Sequence, residues 1–256
     1  MELPEGFDPA FYLMLYGDVA EAGMDPADHY LRFGHSEGRT GIPPGEIHSA
    51  EQEMRDRYEF MARAFSAIAV NGIDGDYLEF GVAYGKTMWA AWRSSRAAGL
   101  APHLWAFDSF EGLPDPTSDI DVDHPSWQKG RYAVKQERFT TNLASMGVAE
   151  NDFTVIPGFF SESLAKERRD DLPNSVALAY VDCDMYSSTV EVLDYLRGIV
   201  STGTIVAFDD WFCWSASGLS GEQIALRELV DAHPELRFNA YLPIGWHGMS
   251  FFVTSA

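Results

Sequence analysis

Residues 76–87 read DYLEFGVAYGKT. A short apolar run, Tyr77 to Phe80, passes into two glycines four positions apart, Gly81 and Gly85, and then into a stretch with helical character. Glycines at a strand-to-helix joint let the backbone turn tightly and approach a ligand closely. Outward from this joint the same unit recurs. Apolar strands are predicted near Asp76–Val82, His103–Asp108, Phe153–Ile156, Val176–Asp182 and Thr204–Phe208, with helical stretches filling most of the gaps. Upstream, Met54, Tyr58, Met61, Phe65 and Ile68 recur at alternating four- and three-residue steps, the mark of an amphipathic helix packed on a core. Strands alternating with helices predict an α/β fold, a mostly parallel, doubly wound sheet covered on both faces. Two last runs, Arg237–Leu242 and Met249–Thr254, are joined only by PIGWHG, too short for a helical crossover, so they are expected to be antiparallel to each other.

The first forty-odd residues have a different character, crowded with Phe7, Phe11, Tyr12, Tyr16, Tyr30 and Phe33. Asp8-Pro9 and Asp25-Pro26 are helix-start signals, an aspartate cap followed by proline in the first turn. Two short helices, roughly Pro9–Tyr16 and Pro26–Phe33, ended by Gly17 and Gly34, are expected to form a hairpin. A turn-rich joint at Thr40–Gly45 separates them from the rest, giving a helical module over residues 1–45 and an α/β domain over residues 46–256.

With 18 lysines and arginines against 39 aspartates and glutamates, the chain carries a formal charge of −21. Phosphate backbones and anionic membrane surfaces are repelled by such a molecule, which argues against nucleic-acid and bilayer partners. The start lacks the apolar core of a secretion signal, and no later run approaches the roughly 20 apolar residues that span a bilayer, so a cytoplasmic protein is expected. Cys183 and Cys213 are too few for a disulfide framework or a thiolate cluster.

In an open parallel sheet, ligands bind beyond the carboxyl ends of the strands. The loop around Gly81 and Gly85 departs from the dinucleotide pattern G-x-G-x-x-G and places Glu79 two residues before its first glycine. A diphosphate would be repelled there, so S-adenosylmethionine fits better than a nicotinamide dinucleotide. Asp108, ending the next strand, is placed either to accept hydrogen bonds from ribose hydroxyls or to cap the following turn. Strand four ends in Asp182-Cys183-Asp184 and strand five in Asp209-Asp210. Asp182, Asp209 and Asp210 would converge at one mouth of the sheet, and carboxylates so gathered call for a cation. Hard oxygen ligands with positions left for water or substrate favour Mg²⁺. Asp184 reads instead as a cap for the helix that begins near Ser187.

With DYLEFGVAYGKT, AFDSFEGLPDP (106–116), VIPGFFSESL (155–164), YVDCDMYSSTVEVLDYL (180–196) and GTIVAFDDW (203–211), the chain from about Met54 onward resembles the macrocin O-methyltransferase family of sugar-modifying enzymes. The resemblance implies a Rossmann-like class I methyltransferase with a seven-stranded sheet. It implies that Glu79, Gly81, Tyr84, Gly85 and Thr87 shape an S-adenosylmethionine pocket, that Asp108 and Ser109 lie against its ribose, and that Asp182 borders it. Mg²⁺ would be held by Asp182, Asp209 and Asp210, with Asp182 as catalytic base. The acceptor would be a small molecule or glycan, and a homo-oligomer is allowed. Residues 7–39 resemble a small helical module of bacterial polysaccharide glycosyltransferases. Thr117–Gly130, with Asp119, Asp121, Asp123, His124 and Trp127, reads as a mobile lid in which Trp127 or His124 contacts substrate. His247, in the GWHG turn, is a candidate second base or substrate contact, although turn histidines are usually at the surface. Two other readings remain: a catechol-type methyltransferase, and a glycan-binding scaffold with a vestigial catalytic domain.

Overall fold

A computed structural model describes residues 2–43, 50–122, 124–213 and 218–255. The chain divides into two compact units, Met1–Glu53 and Met54–Ala256. The expected joint at Thr40–Gly45 lies partly outside the described residues, as does Asp123.

In the first unit both aspartate caps form. Asp8 accepts from the amides of Ala10 and Phe11 (2.8 and 3.0 Å) to start α1, Pro9–Leu15, and Asp25 accepts from Asp28 (2.9 Å) to start α3, Pro26–His29. Gly17 does not end a two-helix hairpin. It opens a second short helix, α2, Gly17–Glu21, and α3 runs on into a π-helical turn, Tyr30–Gly34. Gly34 packs closely there: a Cβ on it would lie 2.1 Å from the hydroxyl of Tyr12, which is fully buried with Val19 and Tyr30 and meets His29 Nδ1 at 3.0 Å. Arg39 ties the unit together through Asp18 at 2.9 Å while lying over the Tyr16 ring.

The second unit is a seven-stranded sheet in the order β3-β2-β1-β4-β5-β7-β6. Its strands are β1 Asp76–Phe80, β2 Leu104–Asp108, β3 Phe153–Pro157, β4 Val176–Val181, β5 Ile205–Phe208, β6 Leu236–Ile244 and β7 Gly248–Ser255. The first five are parallel, and β7 runs antiparallel to both β5 and β6. Strand order reverses between β1 and β4, so their carboxyl ends border the crevice where such sheets take ligands.

Side chains alternate between the two faces with the period of two that strands impose. Tyr77, Leu178, Tyr180, Ile205 and Ala207 enter one core, covered by α4 (Ala50–Asn71), α5 (Lys86–Ala97) and α7 (Gln136–Ser145). Leu78, Phe80, Ala179, Val181, Val206 and Phe208 enter the other, covered by α9 (Tyr186–Leu196) and α10 (Gly221–Ala232). Short helices α6 (Asp119–Val122) and α8 (Phe160–Ser163) complete the set among the described residues. None of the described helices is long and apolar enough to cross a membrane.

Candidate active site

At the switch point the backbone leaves no room for a side chain on Gly81. Its φ is +88°, and a Cβ there would lie 1.8 Å from the carbonyl oxygen of Asp182. The glycine lets the chain ends of β1 and β4 meet, continuing the ladder through the Asp182 amide to Phe80 O at 2.9 Å. Gly85, at φ +76°, precedes α5, and a Cβ there would press on Phe139 and Leu143 of α7. Thr87 is buried in the first turn of α5. Tyr84 is 51% exposed, and it lines a shallow pocket with Lys86, Arg138, Asn142, Ser145 and Met146, which no carboxylate lines.

Asp108 binds the glycine loop and the turn after β2. Its Oδ2 accepts from the amides of Val82 (2.8 Å) and Ala83 (3.3 Å), and its Oδ1 from Phe110 (2.7 Å). Ser109 donates to Gly112 O at 2.9 Å and accepts from the Glu111 amide at 3.0 Å. Both residues thus organise the loops that border the crevice, with Asp108 in the capping arrangement. Glu79 is buried on the α4 face beside Tyr77, whose hydroxyl donates to it at 2.5 Å. Burial pushes its carboxyl up to about 8, against the opposing pull of that hydrogen bond.

Asp182, Asp184 and Asp210 each bring a carboxylate oxygen to within 4.8 Å of the others, a set able to hold a metal ion. All three are partly exposed. Burial, followed by repulsion from one another and from Asp209, raises Asp182 and Asp210 well above the usual carboxylate range, and the same causes lift Asp184 to about 7. Asp210 Oδ2 is buried without a hydrogen-bond partner. Hard anionic oxygens that repel one another, one of them buried without a donor, suit a divalent cation such as Mg²⁺.

The expected metal ligands are Asp182, Asp209 and Asp210; the carboxylates that converge in this structure are Asp182, Asp184 and Asp210, while Asp209 is engaged by Arg57. Adjacent residues leaving a strand point to opposite faces. Asp209 continues the face of Ile205 and Ala207 toward α4, where the Arg57 guanidinium grips both its oxygens, Nε to Oδ1 at 2.9 Å and Nη2 to Oδ2. Tyr180 donates its hydroxyl to the same Oδ1. Burial would raise the Asp209 carboxyl, but the Arg57 bonds and charge outweigh it and hold it below its ordinary value. Asp184 does not cap α9. It sits at φ +60°, a left-handed conformation aspartate tolerates, and accepts a hydrogen bond from the Trp127 side chain.

The helix that Asp184 was expected to cap is capped from a distance instead. Asp121, fully buried, accepts from the amides of Tyr186 (2.7 Å) and Ser187 (3.2 Å) in the first turn of α9. Trp127, 5% exposed, packs with Leu113 and Met185, and His124 stacks on it with ring centroids 3.9 Å apart. Within Thr117–Gly130, Asp121 and Trp127 anchor the described residues to the start of α9, with Asp119 exposed and Asp121 inside. His247 is no surface residue either. At 3% exposure its Nδ1 meets Asp209 O at 2.8 Å, and its Nε2 is buried without a hydrogen-bond partner. Glu222, in the first turn of α10, is likewise buried with both oxygens unpartnered, and burial followed by repulsion from Asp210 and Asp209 raises its carboxyl well above the usual range.

The family model for macrocin O-methyltransferases matches residues 50–224, well over half of the chain. The chain belongs to the macrocin O-methyltransferase family. Among curated relatives, it is 28% identical over 160 residues to the 8-demethyl-8-(2,3-dimethoxy-alpha-L-rhamnosyl)-tetracenomycin-C 4'-O-methyltransferase of Streptomyces olivaceus, covering 60% of each chain. It is also 28% identical over 160 residues to the demethyldecarbamoylnovobiocin O-methyltransferase of Streptomyces niveus, again 60% of each. The chain thus matches about 60% of the length of these curated relatives. The crystal structure of a calicheamicin methyltransferase shares the fold, with a TM-score of 0.64 and 21% identity, covering 98% of this chain and 99% of that one. In this macrocin O-methyltransferase family member, the family match covers both DYLEFGVAYGKT and the two aspartate-bearing strand ends.

Proposed function

We propose that the chain moves a methyl group from S-adenosylmethionine to a hydroxyl of a sugar or glycosylated acceptor, with Mg²⁺ held by Asp182, Asp184 and Asp210. The observation that carries this reading is the convergence of those three carboxylates within 4.8 Å at the ends of β4 and β5, next to the glycine loop of β1. The relatives' names place methylation on a rhamnosyl-bearing antibiotic in one case and on a novobiocin precursor in another, which supports a polyhydroxylated acceptor here.

A sugar hydroxyl is a poor nucleophile at neutral pH, so the site must take its proton as the oxygen attacks. When bound, Mg²⁺ would supply Lewis-acid stabilisation of the charge developing on that oxygen. S-adenosylmethionine would supply the methyl as an electrophile. The chain's own residues do the rest. Asp182 and Asp184, close enough to interact, act as the proton-accepting pair, with Asp182 nearest the β1–β4 crevice through its backbone contact with Gly81. Trp127 fixes the Asp184 carboxylate through its side-chain hydrogen bond, and Asp108 holds the Val82–Ala83 backbone that would face the cofactor. Positioning and charge stabilisation carry the rate.

The acceptor class is tested by offering labelled S-adenosylmethionine with Mg²⁺ and two acceptor sets, glycosides bearing vicinal hydroxyls and simple catechols. Label on the glycosides alone is expected. Label confined to catechols would assign a small-phenol methyltransferase, and saturable cofactor binding with no transfer to either set would revive a binding role.

A further inference from the structure

Arg131 and Tyr132 follow the Trp127 segment, and Leu113 holds them beside the carboxylate site. The Leu113 amide donates to Arg131 O at 3.0 Å and its carbonyl accepts from the Gly130 amide at 2.9 Å. The Leu113 side chain packs with Trp127 and with Met185, the residue after Asp184. Gly112 permits this approach, since a Cβ on it would lie 2.4 Å from Arg131 O. Tyr132 is held at φ +65°, a left-handed conformation that tyrosine rarely adopts and that persists only where the surroundings impose it. Its side chain stays exposed, with the Arg131 guanidinium carbon 5.1 Å from the ring centroid. Asp184 and Asp210 act electrostatically on Tyr132, and Arg131 acts on Asp184 and His124, which places both residues at the mouth of the site. Among the described residues Arg131 forms no ion pair, whereas Lys129, two positions earlier, is paired with Asp115.

We propose that Arg131 and Tyr132 select the acceptor, Arg131 binding an anionic group, phosphate or carboxylate, on a sugar whose ring lies against Tyr132. The inference rests on the methyl-transfer reading above and narrows its acceptor to an acidic sugar. A chain of charge −21 with three carboxylates gathered at its candidate metal site repels anionic ligands. An arginine without an ion-pair partner at that mouth reverses the sign of the charge locally, where such an acceptor would arrive. A guanidinium stacks on an aromatic face while its N–H fork stays free for paired hydrogen bonds to phosphate or carboxylate. The tyrosine ring offers an apolar body with a polar tip, suited to a ring that bears hydroxyls. The backbone that carries both residues is already fixed by Leu113, so little freedom is lost on binding.

The test is calorimetric binding to the full chain with Mg²⁺ and S-adenosylhomocysteine present. Glucose, galactose and rhamnose are offered as neutral methyl glycosides and as 1-phosphates, glucuronate and galacturonate supply the carboxylate arm, and inorganic phosphate supplies charge without a ring. At least one acidic sugar is expected to bind about tenfold more tightly than its neutral counterpart, and more tightly than inorganic phosphate. Arg131→Gln should bring acidic and neutral sugars to the same affinity, and Tyr132→Ala should weaken both; the two side chains are exposed, so the fold is expected to survive either change. A preference confined to the 1-phosphates or to the uronates identifies which anion is read. Equal binding of acidic and neutral sugars, no binding of any acidic sugar, inorganic phosphate binding as tightly as the acidic sugars, a preference that survives Arg131→Gln, or unchanged affinities in Tyr132→Ala overturns the proposal. Label transferred from S-adenosylmethionine to neutral glycosides would then leave the methyl-transfer reading standing. Arg131-dependent binding of an acidic sugar, with no label transferred to any sugar, would keep this subsite and overturn the methyl-transfer reading instead.

Discussion

Replacing Glu79 by glutamine is expected to stabilise the protein at neutral pH. Glu79 is 1% exposed, and its carboxyl is pushed up to about 8 from an ordinary 4.5. The folded chain therefore holds a proton on Glu79 over a range in which the unfolded chain has released it. Between those two values the folded state binds more protons, so stability falls as pH rises. Each pH unit in that window costs about 1.4 kcal/mol, so from 4.5 to pH 7 the penalty reaches roughly 3 kcal/mol. Glutamine keeps an oxygen to accept from the Tyr77 hydroxyl and carries no titrating proton. Thermal unfolding of Glu79→Gln and parent protein without added cofactor, measured from pH 4.5 to 8, should show curves that coincide at the acid end. They should diverge by roughly 6–12 °C at pH 7, at about 2–4 °C per kcal/mol for a domain of this size. Parallel curves with a constant offset would mean that burial does not raise the Glu79 carboxyl in the folded chain.

Two other substitutions probe the segment over the start of α9. Asp121→Ala leaves the amides of Tyr186 and Ser187 without their acceptor and should cost about 1–2 kcal/mol, read as a lower melting temperature; an unchanged melt would show that this contact does not hold the segment. Trp127→Phe keeps the packing against Leu113 and Met185 but removes the indole donor to Asp184. Loss of one such bond to a charged group is worth about 1.5–3 kcal/mol, so kcat should fall roughly 10- to 100-fold with S-adenosylmethionine affinity nearly unchanged. An unaltered kcat would remove Trp127 from the positioning of Asp184.

Much of the fold was readable because periodicity is local: the strand runs, the apolar stripe of α4 and the short GWHG connection each fix an element from neighbours in sequence. What escaped was set by contacts across the chain. Asp209 and Asp210 look equivalent as a dipeptide, yet the strand pleat sends one to Arg57, some 152 positions away, and the other to Asp182 and Asp184. Asp184 looked like a cap because aspartate before a helix usually is one, and the cap came instead from Asp121, 65 positions upstream. Glu222 carried no signal beyond an acidic residue in a helix's first turn. Arg57 did leave a trace, as a cation on an apolar stripe. In the N-terminal unit, Gly17 read as a stop because glycine commonly ends helices, but it begins α2, outside the left-handed region that a helix-ending glycine favours.

Metal-dependent methyl transfer is the central claim, and its most direct measurement is transfer of label from S-adenosylmethionine to a glycoside acceptor by chelator-stripped protein while Mg²⁺ is added back. The account predicts negligible turnover after stripping, saturable recovery with Mg²⁺, and no recovery in Asp210→Asn despite intact cofactor binding. Full turnover in excess chelator, or an Asp210→Asn variant as active as the parent, would contradict it.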